Sequence, residues 1–205
     1  MFTGIVTAVG AIRDVQSRGD LHAVIACPWD PAGIAIGASI ACSGTCLTVV
    51  DRGGAVGDGW FAVDISGETV ARTVPGRWQA GGSLNLEPAL KLGDELGGHI
   101  VTGHVDGVGE VVGVCPDGES KRIGIAAPRE LAPYLAPKGS ITVDGVSLTV
   151  NEVADQSDGT CHFALNIIPH TAEVTTLGAL APGDKVNLEI DVLARYLQRM
   201  QSLRG

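Results

Sequence analysis

The feature that most limits what this chain can fold into is that it is written twice. FTGIVTAVG at 2–10 matches VTGHVDGVG at 101–109, and ASIACSGTCLTV at 38–49 matches GSITVDGVSLTV at 139–150. FAVDISGET at 61–69 matches FALNIIPHT at 163–171, and GGSLNLE at 81–87 matches GDKVNLE at 183–189. The offset grows slowly from 99 to 102, and 19 of 37 paired positions are identical, where ordinary composition gives roughly three. A repeat of about 98 residues divides the 205 residues into two copies of one small fold, 1–98 and 99–190, and a tail, 191–205.

Within each copy the pattern is strand after strand. GDKVNLEID and GGSLNLE alternate apolar and polar residues like half-buried strands. ITVDGVSLTV reads as two β runs around Asp144-Gly145, a dipeptide suited to a tight hairpin, and Ser43-Gly44 holds the same place in the first copy. With 29 glycines, 10 prolines and only 4% aromatic residues, the chain is expected to be all-β, one small barrel per copy. The tail differs. From Asp191, a suitable N-cap, Val192, Leu193, Tyr196, Leu197, Met200 and Leu203 fall at helical spacing between Arg195, Gln198, Arg199 and Gln201. Arg199 and Arg204 suit the negative end of that helix. So short a helix is marginal alone, so its apolar stripe is expected to pack on something, another chain or its own barrel.

Charge and composition remove several classes. Apolar residues at 45% and charged residues at 18% exclude a disordered chain. A balance of 14 basic against 23 acidic residues, with no basic stripe, argues against a nucleic-acid partner. No apolar run reaches membrane-spanning length. MFTGIVTAVG has no basic segment followed by an apolar one, and five cysteines is an odd number, so reduced thiols in the cytoplasm are expected.

The candidates for chemistry come from the repeated strand. Alternation puts Cys46 and Thr48 on one face, and Ser147 and Thr149 on the equivalent face of the second copy. Leu47, Val49, Leu148 and Val150 then point into the cores. Two small hydrogen-bonding side chains in the same register make either an ordinary solvated strand face or a wall suited to a flat polar ligand. The copies also differ in titratable groups: His104 stands where the first copy has Ile5, Glu68 faces His170, and Gly37 faces Lys138. Such differences can give two similar halves different roles, with His104 a possible proton carrier. His99 is expected to be structural, and on a continuous strand it faces away from His104. Cys42 and Cys46 are too far apart on a regular strand to share a metal, and no CxxC occurs, so no metal site is expected. Cys27, Cys115 and Cys161 are expected to be buried. Gly107-Val108-Gly109 opens no dinucleotide-binding unit.

MFTGIV, SGTCLTV, LKLGDELGGHIVTGHVDGVGEV, KGSITVDGVSLTVNEV, IPHTAEVTTLG and NLEIDVLARYLQRM together resemble the riboflavin synthase family, alpha-chain type, over essentially the whole chain. The resemblance implies two tandem six-stranded Greek-key barrels and a C-terminal α-helix through which the chains form homotrimers. It implies a transferase that dismutes two molecules of 6,7-dimethyl-8-ribityllumazine. A four-carbon unit passes from one to the other, giving riboflavin and 5-amino-6-ribitylamino-uracil without a metal or redox cofactor. By position, the first-barrel contacts are Gly4, Ile5 and Val6, then Cys46, Leu47 and Thr48, then Asp64, Ile65, Ser66, Gly67, Glu68 and Thr69. The second-barrel contacts are Gly103, His104 and Val105, then Lys138, then Ser147, Leu148 and Thr149, then Asn166, Ile167, Ile168, Pro169, His170 and Thr171. Cys46 and Ser147 are expected near the reacting carbons, with His104 and Thr149 assisting proton movement. Two other readings stay open: a paralogous protein that binds lumazine without turning it over, and a flavin-binding oxidoreductase barrel. The latter needs a nicotinamide domain for which two repeats leave no space.

Overall fold

A computed structural model describes residues 1–203; Arg204 and Gly205, at the end of the expected tail helix, lie outside the described residues. The first copy contributes β1 (Ala8–Arg18), β2 (Asp20–Cys27), β3 (Ser39–Cys42), β4 (Thr45–Ala55), β5 (Asp58–Ile65), α1 (Gly67–Arg72) and β6 (Ser83–Pro88). Its strands close into an antiparallel barrel in the order β1-β2-β5-β4-β3-β6. Phe61, Val63, Ile65, Leu84 and Leu86 alternate inward from β5 and β6 and are fully buried, which is the period-two pattern a half-buried strand requires.

The second copy repeats this with β7 (Gly107–Asp117), β8 (Ser120–Ala127), β9 (Ser140–Val143), β10 (Val146–Thr149), β11 (Glu152–Asp155), β12 (Cys161–Ile167), α2 (Pro169–Val174) and β13 (Lys185–Ile190). Here the hydrogen-bonded order is β10-β9-β13-β7-β8-β12-β11, a curled sheet whose two edge strands are halves of one interrupted strand. β4 absorbs its bend as a bulge, with the register shifting between Val49 and Asp51. At the matching place in the second copy, Val150 is fully buried, and the chain changes partners there. The Val150 N–H donates to the Gly139 carbonyl and that of Asn151 to Ala164.

Both hairpin turns form as the sequence suggests. Ser43 and Gly44 have φ of 44° and 80°, Asp144 and Gly145 of 44° and 83°, the positive pair of a type I′ turn. The two turns abut: a Cβ on Gly145 would lie 2.7 Å from the Gly44 nitrogen, so neither glycine can be replaced without separating the barrels. Around this contact the copies exchange bonds reciprocally. Asn85 Nδ2 donates to the Asp144 carbonyl at 2.8 Å and Asn187 Nδ2 to the Ser43 carbonyl at 2.9 Å. Phe2 and Val101 pair across the junction, both buried.

The tail forms α3 (Val192–Ser202), with Asp191 Oδ1 accepting the Leu193 N–H at 2.8 Å as N-cap. Its polar side meets the chain's own second barrel, where Arg195 binds Asp106 at 2.8 Å. Leu193, Tyr196, Leu197, Met200 and Leu203 are all more than half exposed. One expectation fails: Cys27 and Cys161 are buried, but Cys115 is exposed, because β13 pairs with β7 only as far as Glu110 and the rest of β7 is a sheet edge paired with β8 alone. Among the described residues, no helix is long and apolar enough to cross a membrane.

Candidate active site

The two strand faces are built as the alternation requires. Leu47, Val49 and Val150 are buried in the cores and Leu148 packs against one; Cys46 and Ser147 are half-buried, and Thr48 and Thr149 are exposed. Ile65 and Ile167 also send their side chains into the cores, so any contact they make with a ligand is through the main chain. What completes each wall differs from the sequence-based grouping. The Cys46 N–H donates to the Gly103 carbonyl and the Ser147 N–H to the Gly4 carbonyl, both at 2.8 Å. The segment Gly4-Ile5-Val6 therefore belongs with the second barrel's wall, and Gly103-His104-Val105 with the first barrel's. Val6 packs on the second core, in agreement. The assignment by repeat membership placed both segments the wrong way round, because each leading segment crosses to the other barrel before its own strands begin.

On the first wall a cavity of about 170 Å³ is lined by Cys46, Glu68, Thr69, Arg72, His104 and neighbouring atoms. Ser66 caps α1, its hydroxyl accepting the Thr69 N–H at 3.2 Å, and Gly67 opens the helix, so Glu68 and Arg72 rise on one lip as a 2.7 Å ion pair. Asp64, near the end of β5, has its Oδ1 2.7 Å from His22 Nδ1, where the carboxylate accepts from the ring N–H. The volume is below the roughly 300 Å³ at which small-molecule sites begin.

On the second wall, Asn166 lies on β12 and Ile168 precedes α2, which begins with Pro169, His170 and Thr171. Val174 stands where the first copy has Arg72 and His170 where it has Glu68, so this lip lacks the ion pair of the other. Lys138 sits just before β9 with φ of 68°, its N–H bound to the Val150 carbonyl at 2.7 Å. Its first-copy counterpart, Gly37, adopts φ of 83° with the matching bond to Val49. A lysine retained in a left-handed conformation that costs about 1–2 kcal/mol, where the repeat uses glycine, points to a demand for its side chain.

His99, expected to be structural, lies at the second wall. Its Nδ1 lies 2.7 Å from Ser147 Oγ, and its Nε2 lies 3.2 Å from Thr142 Oγ1. Burial lowers its pKa, and the charge of Asp191 opposes that shift. Residues 99–105 are not a continuous strand, so the strand-face argument does not hold for them. His99 turns to the Ser147 wall and His104 to the Cys46 cavity. The available signal was the GGH stretch itself: a Cβ on Gly98 would lie 2.8 Å from Ser147 Cβ, so that glycine admits the histidine to the wall. No cluster of three or more His, Cys, Asp or Glu side chains fit for a metal ion occurs among the described residues.

Two barrels, each presenting a hydroxyl or thiol wall completed by the other's leading segment, define a tandem lumazine-binding fold, and residues 3–89 and 102–191 each match the lumazine binding domain family. The chain is 47% identical to a riboflavin synthase of Brucella abortus, over 98% of each chain. It is 44% identical to one of Mycobacterium tuberculosis over the full length of both. The crystal structure of LumP complexed with riboflavin superposes with a TM-score of 0.78 at 25% identity, covering 93% of this chain and 99% of that one. The chain belongs to the riboflavin synthase family, whose members are transferases.

Proposed function

We propose that the chain converts two molecules of 6,7-dimethyl-8-ribityllumazine into riboflavin and 5-amino-6-ribitylamino-uracil. The atoms of two substrates and two products balance, so the transfer requires no external oxidant. The observation that carries this reading is the pair of equivalent walls, one bearing Cys46 and the other Ser147 hydrogen-bonded to His99. One lumazine lies on each. A wall holding one flat ring leaves the other face of that ring for a second, and fixing two rings face to face contributes up to about 7–11 kcal/mol toward the barrier.

The residue roles follow the local chemistry. With the His99 proton on Nε2 and directed at Thr142, Nδ1 accepts the Ser147 hydroxyl proton, and the pair is poised to take a proton from the 7-methyl group of the donor. Burial keeps the imidazole neutral and competent as a base near pH 7. Cys46, on the other wall, is the nucleophile toward the acceptor ring, with His104 and Thr149 moving protons. Lys138 supplies a positive charge at the rim of the Ser147 wall. The shallow Cys46 cavity and the exposed face of α3 favour an active site between the first barrel of one protomer and the second barrel of another, in a homotrimer held by the C-terminal helices. The cytoplasm, where its five free cysteines stay reduced, is its place of work.

Incubating the purified protein with 6,7-dimethyl-8-ribityllumazine alone tests the reading. Riboflavin and the ribitylamino-uracil should appear in equal amounts. Tight binding without product would make the walls a ligand platform and nothing more.

A further inference from the structure

We propose that Glu87 and Glu189 are positioning residues acting across the molecule: each belongs to one barrel and sets the geometry of the site wall on the other. The inference rests on the two-wall reading of the site and adds what holds each wall in register.

Glu87 lies on β6 of the first barrel and is buried. Its Oε1 accepts the Thr3 N–H at 2.7 Å and the Thr3 hydroxyl at 2.8 Å; its Oε2 accepts the Gly4 N–H at 3.0 Å. The Gly4 carbonyl in turn accepts the Ser147 N–H, and the approach is so close that a Cβ on Gly4 would lie 2.5 Å from Ser147 Cβ. Glu189 repeats the arrangement from β13 of the second barrel. It accepts Thr102 N–H at 2.6 Å, Thr102 Oγ1 at 2.7 Å, Gly103 N–H at 2.9 Å and His104 N–H at 3.1 Å. The Gly103 carbonyl accepts the Cys46 N–H, with a Gly103 Cβ only 2.6 Å from Cys46 Cβ.

Each carboxylate thus gathers the donors of one leading segment, and that segment grips the opposite wall. Glu87 fixes Ser147, and Glu189 fixes Cys46 and presents His104 beside it. Only a carboxylate suits this place: it accepts at every lone pair, whereas an amide would turn two donors toward other donors. A carboxylate that merely filled the end of its own strand would have effects confined to its own barrel, so the crossing distinguishes the two roles.

The test compares Glu87→Gln and Glu189→Gln in the full chain by amide hydrogen exchange at Ser147 and Cys46, and by riboflavin titration followed through amide signals of both walls. Glu87→Gln should speed exchange at Ser147 and weaken riboflavin on the Ser147 wall, each by roughly tenfold, with Cys46 changed less than about twofold. Glu189→Gln should do the reverse. Effects confined to the mutated residue's own barrel, or equal at both walls, would overturn the proposal. If a glutamine variant does not fold, Glu87→Asp or Glu189→Asp, which keeps the charge but shortens the reach, carries the same comparison. Should wild-type protein bind riboflavin at neither wall, the two-site reading fails, while the exchange measurement still decides the positioning role.

Discussion

His99 is held between two hydroxyls in a half-buried place, and that environment sets how it answers to pH. Its folded-state pKa lies below the ordinary value, about 6.5, so the unfolded chain takes up the proton first. Stability conferred by the neutral form is complete above about pH 6.5 and declines as pH falls, until His99 protonates within the fold. His99→Gln should therefore flatten the loss of stability between about pH 7.5 and 5.5 in urea unfolding, and an unchanged slope would show that His99 is not the group titrating. The same variant should lower turnover by on the order of 10²-fold, the usual share of a general base. Lys138 makes the opposite trade. Lys138→Gly relaxes a left-handed lysine and should stabilise the fold by about 0.5–1 kcal/mol while turnover falls. Higher melting with full activity would remove Lys138 from the site.

Among the elements, the contact that joins the barrels carries a buried ion pair. Arg77, in the loop between α1 and β6, donates to Asp144 Oδ1 at 2.8 Å, and Asp144 is essentially inaccessible. Burial raises the Asp144 pKa, while Arg77 and the Asn187 N–H, which donates to Oδ1, counter it. Removing the arginine strands a buried carboxyl, so Arg77→Ala should cost about 3–5 kcal/mol. Adding Asp144→Asn, which keeps a residue suited to the turn, should recover much of that loss, and strict additivity of the two changes in chemical unfolding would argue against the coupling. The first copy has no such pair: Ser43 occupies the turn, and its hydroxyl accepts the Asn85 N–H. The hairpin turns, the paired polar faces and the N-cap of α3 were legible residue by residue, because alternation, turn dipeptides and caps are local rules. The interruption between β10 and β11 was not, because a bulge and a break at the same place differ only in which neighbour the chain pairs with.

For the whole molecule, the decisive question is how two walls meet. Four large apolar side chains on α3 and Leu203 at its C-cap face outward, and each stabilises an association by roughly 1.5–3 kcal/mol when buried. If the active site joins unlike barrels of neighbouring chains, Cys46→Ala and Ser147→Ala proteins, each nearly inactive, should regain turnover when unfolded together and refolded as a mixture. No recovery would place both walls of each site in one chain. The duplication, the strand content, the tail helix and the Cys46 and Ser147 faces follow from the sequence alone, since repeat, period and composition act over a few residues. Which leading segment completes which wall, the service of His99 to Ser147, and the reach of Glu87 and Glu189 across the junction were decided only in three dimensions. Those contacts join residues 48 to 143 positions apart, beyond the few residues over which any local preference acts.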